Sequence, residues 1–154
     1  KIASLVLGGH GDTMVSMLNH TTVDGKPLLD LVKDKRLSKE SLESIVQRTK
    51  TGGAEIVKLL EKGSAFYAPA ASGVEMAESY LKNLKKQLPC AVYLNGEYDV
   101  YELYAGVPVI IGAKGVEKII ELDLSSQEKK EFDNSIIAVQ DLFSAAKKID
   151  TNLK

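Results

Sequence analysis

The sequence contains no tryptophan, one cysteine and only 4 prolines among 154 residues. A single cysteine, Cys90, cannot close an internal disulfide. It suits a reducing compartment and reads most simply as a small buried hydrophobe. No apolar run approaches the roughly 18 residues of a membrane span. No basic segment followed by an apolar stretch and a cleavage site opens the chain. The expected location is therefore cytoplasmic, with no membrane partner. An excess of charge of one sign is also missing: 20 Lys and Arg face 21 Asp and Glu, a formal net charge of −1. That balance offers no broad footprint for nucleic acid, and no nucleic-acid partner is expected.

What remains is an ordinary globular composition, 44% hydrophobic and 27% charged. The length matches about one domain, and that apolar content is enough to offset chain entropy. The chain starts at Lys1 and enters Ile2-Ala3-Ser4-Leu5-Val6-Leu7 directly. This reads as a strand already under way, and hence as part of a longer polypeptide.

Apolar runs predict strands over residues 2–7, 14–18 and 21–23, with Asp24-Gly25 as a tight turn. Ser38 caps a helical stretch whose face carries Leu42, Ile45, Val46 and Thr49. Gly52-Gly53 interrupts that face, so the stretch is either two helices or one bent at the glycines, ending on Gly63 as a C-cap. A third helix rich in small residues is predicted over 64–83, bent early by Pro69. Its small side chains fit tight helix packing or the close approach of a ligand. Strands follow over 89–94, 98–104, 107–111 and 116–122, with Asn95-Gly96 turning the first hairpin. Ser125 and Glu128 form a capping box for a last helix reaching about Ile149, with Phe132, Ile136, Val139 and Phe143 on one stripe. Strands and helices are segregated rather than alternating. The expected class is α+β, an antiparallel sheet packed with long helices.

The chemistry points to Gly8-Gly9-His10-Gly11-Asp12-Thr13. Glycines let a ligand approach the backbone, and a histidine on such a corner can move a proton near neutral pH. The residues alone allow a catalytic histidine, a hydrogen-bonded structural one, or, more weakly, a phosphate-binding corner. No Lys-Ser/Thr follows as in a P-loop, and no G-x-G-x-x-G opens a helix. His20 reads as structural. Asn19-His20-Thr21 matches a glycosylation sequon, which carries no weight without a secretory signal. The two histidines lack cysteine or carboxylate neighbours at ligand spacing, so no metal is expected. The lysines of 82–86 solvate a helix end.

The segment Leu5-Val6-Leu7-Gly8-Gly9-His10-Gly11-Asp12-Thr13-Met14-Val15 resembles the active-site histidine motif of the lactate/malate dehydrogenase family. Gly9 is similar to the malate-specific members, whereas typical lactate-specific members carry glutamate there. The likeness continues through Gly52-Gly53-Ala54-Glu55-Ile56-Val57 and through residues 63–72. It resumes at Leu94-Asn95-Gly96-Glu97-Tyr98 and at residues 106–112, and so covers essentially the whole chain.

The resemblance implies a C-terminal substrate domain over residues 1–154. An NAD-binding Rossmann domain would precede it, and no Rossmann domain lies within this chain. It implies malate and oxaloacetate as substrates, NAD as cofactor and a homo-oligomer as the assembly. His10 matches the family's proton acceptor and donor. Ser64 and Ala65 match the segment lining the substrate pocket, where lactate-specific members usually carry threonine at the position of Ala65. The aspartate that orients the family's histidine, the carboxylate-clamping arginines and the glycine-rich NAD loop all lie upstream in the family and have no match here. Asp12 is not that aspartate; its expected role is local support of the corner through a hydrogen bond. The opposing expectation is a self-associating domain with no activity of its own.

Overall fold

The computed structural model describes residues 1–153. Every strand pairing among them is antiparallel, in three small sheets. The first apolar run is not one strand. It splits into β1 (Ile2–Ala3) and β2 (Val6–Leu7), which pair with β4 (Thr22–Val23) and β3 (Val15–Ser16), respectively. Asp24 and Gly25 both take positive φ, 49° and 78°, and turn β4 onto β5 (Lys26–Pro27). Two positive φ values in a two-residue loop match the right-handed twist of the paired strands.

A short helix, α1 (Leu28–Lys33), follows where no helix is expected from the sequence. Next comes α2 (Lys39–Leu60), one continuous helix of 22 residues through Gly52-Gly53. Arg48 spans the glycine pair and grips Glu55 through two hydrogen bonds of 2.8 and 2.9 Å. Gly52 lies between them on that face and offers no side chain to obstruct the reach. The left-handed cap is Glu61 (φ 59°), not Gly63. The third helix, α3 (Tyr67–Leu81), begins three residues later than the pattern predicts. Pro69 therefore occupies its first turn, where an N–H has no intrahelical partner, and it opens the helix instead of bending it. The Ala70 amide still reaches Phe66 O at 2.9 Å.

The main sheet has the order β6-β7-β8, formed by β6 (Lys86–Asn95), β7 (Tyr101–Gly112) and β8 (Gly115–Ile119). The two strands expected over 98–104 and 107–111 are one: β7 passes through Gly106 without a break. Tyr98 and Asp99 leave the strand for a single helical turn. Alternation along β7 turns Leu103, Ala105, Val107, Val109 and Ile111 into the core. Facing them is α4 (Ser126–Ile149), with Phe132 and Ile136 buried. Its capping box forms as predicted. α3 is anchored to the sheet by Ser79, fully buried, whose hydroxyl donates to Ile111 O at 2.7 Å and accepts from the Lys86 amide at 3.1 Å. The architecture is α+β. Among the described residues, no helix is long and apolar enough to cross a membrane.

Candidate active site

β2 and β3 are the two arms of a hairpin whose loop is residues 8–14. Leu7, Val15 and Met17 are buried at its base, so the hydrophobic effect seats the arms in the core and leaves the loop at the surface. His10 stands near the loop's tip and is exposed. The Met14 amide donates to Gly11 O at 3.0 Å and closes the returning turn.

Two contacts hold the hairpin from behind. Gly8 and Gly106 exchange backbone hydrogen bonds of 2.8 and 2.9 Å, extending the β7 ladder beyond the end of β8. The Gly9 amide donates to Ser135 Oγ at 2.8 Å, and the Ser135 hydroxyl donates to Thr13 Oγ1 at 3.3 Å. Gly8 has φ +90°, and a Cβ built there comes within 2.8 Å of Ser135 Cβ. A Cβ on Gly9 comes within 2.8 Å of Val139 Cγ2. Gly8 is thus required twice, for backbone conformation and for close approach of α4, and Gly9 for close approach alone.

A cleft of about 280 Å³ opens beside His10, lined by Gly8, Gly9, Met14, Cys90 and Ala91 among others. Small and apolar walls leave His10 as its one ionisable side chain besides Cys90. Burial pushes the Cys90 thiol up, which keeps it protonated and makes it part of the apolar wall. Among the described residues, none hydrogen-bonds the His10 ring, so none of them fixes its tautomer.

Ser64 and Ala65 lie between α2 and α3 and do not line that cleft. Asp12 is exposed on the His10 loop. The hydrogen bonds that support the loop run through Gly9, Thr13 and Ser135, none of them through the Asp12 carboxylate. Sequence reasoning passes over Ser135. Its signal was present, because a serine three residues after Phe132 falls on the apolar stripe of α4. His20 is held by Asp123 O at 3.0 Å, in keeping with a structural role. No group of three or more His, Cys, Asp or Glu side chains able to hold a metal occurs among the described residues.

A sequence profile of the family described as lactate/malate dehydrogenase, alpha/beta C-terminal domain, matches residues 1–149. A malate dehydrogenase of Pelagibacter ubique is 67% identical over 153 residues, which is 99% of this chain and 48% of that protein. Among solved structures, malate dehydrogenase of Cryptosporidium parvum superposes with a TM-score of 0.93 at 43% identity, over 96% of this chain and 47% of that one. Lactate dehydrogenase of Eimeria maxima, solved with NADH and oxamate, gives 0.93 at 42% identity, over 99% and 47%. The chain therefore spans about half the length of the relatives it matches. With the histidine corner, the antiparallel core and these likenesses together, the chain belongs to the lactate/malate dehydrogenase family, as its α/β C-terminal domain.

Proposed function

We propose that this chain is the substrate half of an NAD-dependent malate dehydrogenase, with His10 as the group that moves the proton. The observation carrying this reading is an exposed histidine on a rigidly backed glycine corner at the rim of an apolar cleft. His10 takes the proton of the malate 2-hydroxyl as the C2 hydride leaves, giving oxaloacetate; in reverse it returns that proton to the carbonyl oxygen. An uncharged imidazole at neutral pH accepts it, and an imidazolium gives it back.

NAD, when bound, supplies the hydride acceptor. The described residues do not fit it as its principal holder. Their helices open after Pro27, Ser38, Phe66 and Ser125, and none opens from a glycine-rich turn that could seat a pyrophosphate. NAD is therefore assigned chiefly to an N-terminal domain, along with the groups that orient the His10 ring and clamp the carboxylates. Ser64 and Ala65 are assigned to the far wall of the assembled pocket, where the small Ala65 leaves room for a dicarboxylic acid. Asp12, exposed on the same loop and with its carboxylate bonded to none of the described residues, is assigned no part in holding the corner.

The same reading includes a homo-oligomer in the cytoplasm. Ile45, Leu59, Val74 and Leu81 are 55%, 77%, 68% and 78% exposed along α2 and α3, and large exposed apolar surface is normally covered. This surface also favours the second reading, a self-associating domain that is inactive alone. An absorbance assay of the full-length protein with NAD tests the activity. Oxidation of malate in preference to lactate is expected. Preference for lactate would move the protein to the other branch of the family, and oxidation of neither would overturn the reading.

A further inference from the structure

Ser135 is fully buried, yet it is a polar side chain in the middle of a helix face made of Phe132, Ile136 and Val139. A buried hydroxyl on an apolar stripe is costly unless its hydrogen bonds are satisfied. Both of the interactions of Ser135 Oγ go to one place. It accepts from the Gly9 amide at 2.8 Å and donates to Thr13 Oγ1 at 3.3 Å. Gly9 immediately precedes His10, and Thr13 follows it by three. One oxygen thus ties down both flanks of the segment that carries the imidazole.

We propose that Ser135 is the positioning residue of the His10 corner. Through it, the seating of α4 on the sheet sets where the imidazole stands. This rests on the reading of His10 as the proton-transfer group. The hydrogen bonds that hold the corner run through Ser135 and not through the Asp12 carboxylate. A loop with glycines at 8, 9 and 11 has wide backbone freedom when unrestrained, and the restraint comes from outside the loop. Ser135 touches no substrate in this arrangement. Its effect falls on the alignment of His10, and misplacing a reacting group by about 1 Å can cost on the order of a hundredfold in rate.

The test uses the full-length protein and three comparisons. Ser135→Ala is expected to lower kcat for malate about ten- to a hundredfold, with KM for malate and NAD within about twofold. Ile136→Val trims the next residue of the same stripe without touching the corner. It serves as a control for packing loss and should keep kcat within about twofold at a similar drop in Tm. Thr13→Val, at an exposed position, should lower kcat several-fold and Thr13→Ser should restore it, so the claim stays decidable if Ser135→Ala does not fold. The histidine-ring NMR spectrum, with the His10 signal identified by its loss in His10→Asn, should broaden or shift in Ser135→Ala and stay unchanged in Ile136→Val. Wild-type kcat in folded Ser135→Ala, an equal kcat loss in Ile136→Val, or full activity in Thr13→Val would each overturn the proposal. If His10→Asn turns over as wild type, the reading of the reaction fails instead, and the ring spectra alone decide whether Ser135 positions His10.

Discussion

Gly8 and Gly106 hold each other through two backbone hydrogen bonds, 2.8 Å from the Gly8 amide to Gly106 O and 2.9 Å in return. The two residues are nearly a hundred positions apart in sequence, and this pair is where the His10 hairpin joins the main sheet. A Cβ on Gly106 would lie 2.7 Å from Gly8 O. The neighbour is backbone, which cannot rotate away as a side-chain tip would. Close approach, and with it the position of the cleft wall, depends on there being no side chain at 106.

Gly106→Ala should therefore destabilise the full-length protein by about 1–3 kcal/mol, the usual range for an overpacked site. The added methyl pushes the hairpin off β7, so malate turnover should fall together with stability. Urea unfolding and kcat measured on the same preparation check this. A variant with unchanged midpoint and unchanged kcat would show that the sheet yields easily at this point.

Much of the fold is legible from residues that act locally. The Ser125–Glu128 box and the Asp24-Gly25 turn are set by neighbours within four positions, and the structure keeps both; the α4 stripe holds through Phe132, Ile136 and Val139 but not at Phe143, which is 38% exposed. Contacts across the chain are not visible in the same way. Gly106 looks like a strand breaker until Gly8 is seen against it. Ser135 stands out in sequence only as a serine on the apolar stripe of α4, and what it holds is visible only once its hydroxyl is seen under the corner. The continuity of α2 through Gly52-Gly53 escapes propensity for a similar reason. Glycine weakens a helix interior by only about 1 kcal/mol, and here Arg48 and Glu55 bridge the gap. His10 itself was legible from the three glycines around it, while the residues that make it useful lie in α4 and, by the reading above, in the other half of the protein.

Glu128 links α4 to the segment after β3. Burial pushes its carboxyl upward, but hydrogen bonds from the side chains and backbone of Ser125 and Asn19 outweigh burial and hold it below its ordinary 4.5. A group with a lowered folded pKa contributes stability that is complete above the unfolded value and fades as pH falls through the folded one. Glu128→Gln keeps a capping-box side chain but loses the charge-assisted bonds, so it should cost about 1 kcal/mol at neutral pH. The gap between wild type and variant should narrow as pH falls through the ordinary carboxyl value of 4.5 and below it. Urea titrations at several pH values measure it. A gap that stays constant over that range would mean that the carboxylate form is not what the cap depends on.

The chain 1–154 on its own should neither bind NAD measurably nor oxidise malate, because none of the helices among its described residues opens from a glycine-rich turn suited to a pyrophosphate. It should also self-associate through the exposed apolar side chains of α2 and α3. Calorimetry with NAD and light scattering of the purified chain address the two parts separately. Tight NAD binding would place a cofactor site within these residues, and a clean monomer at high concentration would mean that the α2–α3 surface needs no cover.

The decisive substitution is His10→Asn in the full-length protein. A general acid–base residue supplies a factor of about 10²–10⁴ in rate, so kcat for malate should fall by that order. NAD affinity should barely move, because the cofactor is assigned chiefly to the other domain. Folding should survive: His10 is exposed, its ring is bonded to none of the described residues, and asparagine is tolerated in a glycine-rich turn. A structural histidine predicts the opposite pattern, a loss of about 1–3 kcal/mol from partners left unpaired, with the folded remainder still active. The exposed, unbonded ring already argues against that alternative, because it has no buried partner to abandon. Measuring kcat, NAD affinity and Tm on this one variant separates the two cases. Wild-type turnover by a folded His10→Asn enzyme would take the imidazole out of the reaction and leave the glycine corner, with Ser135 beneath it, as a purely structural device.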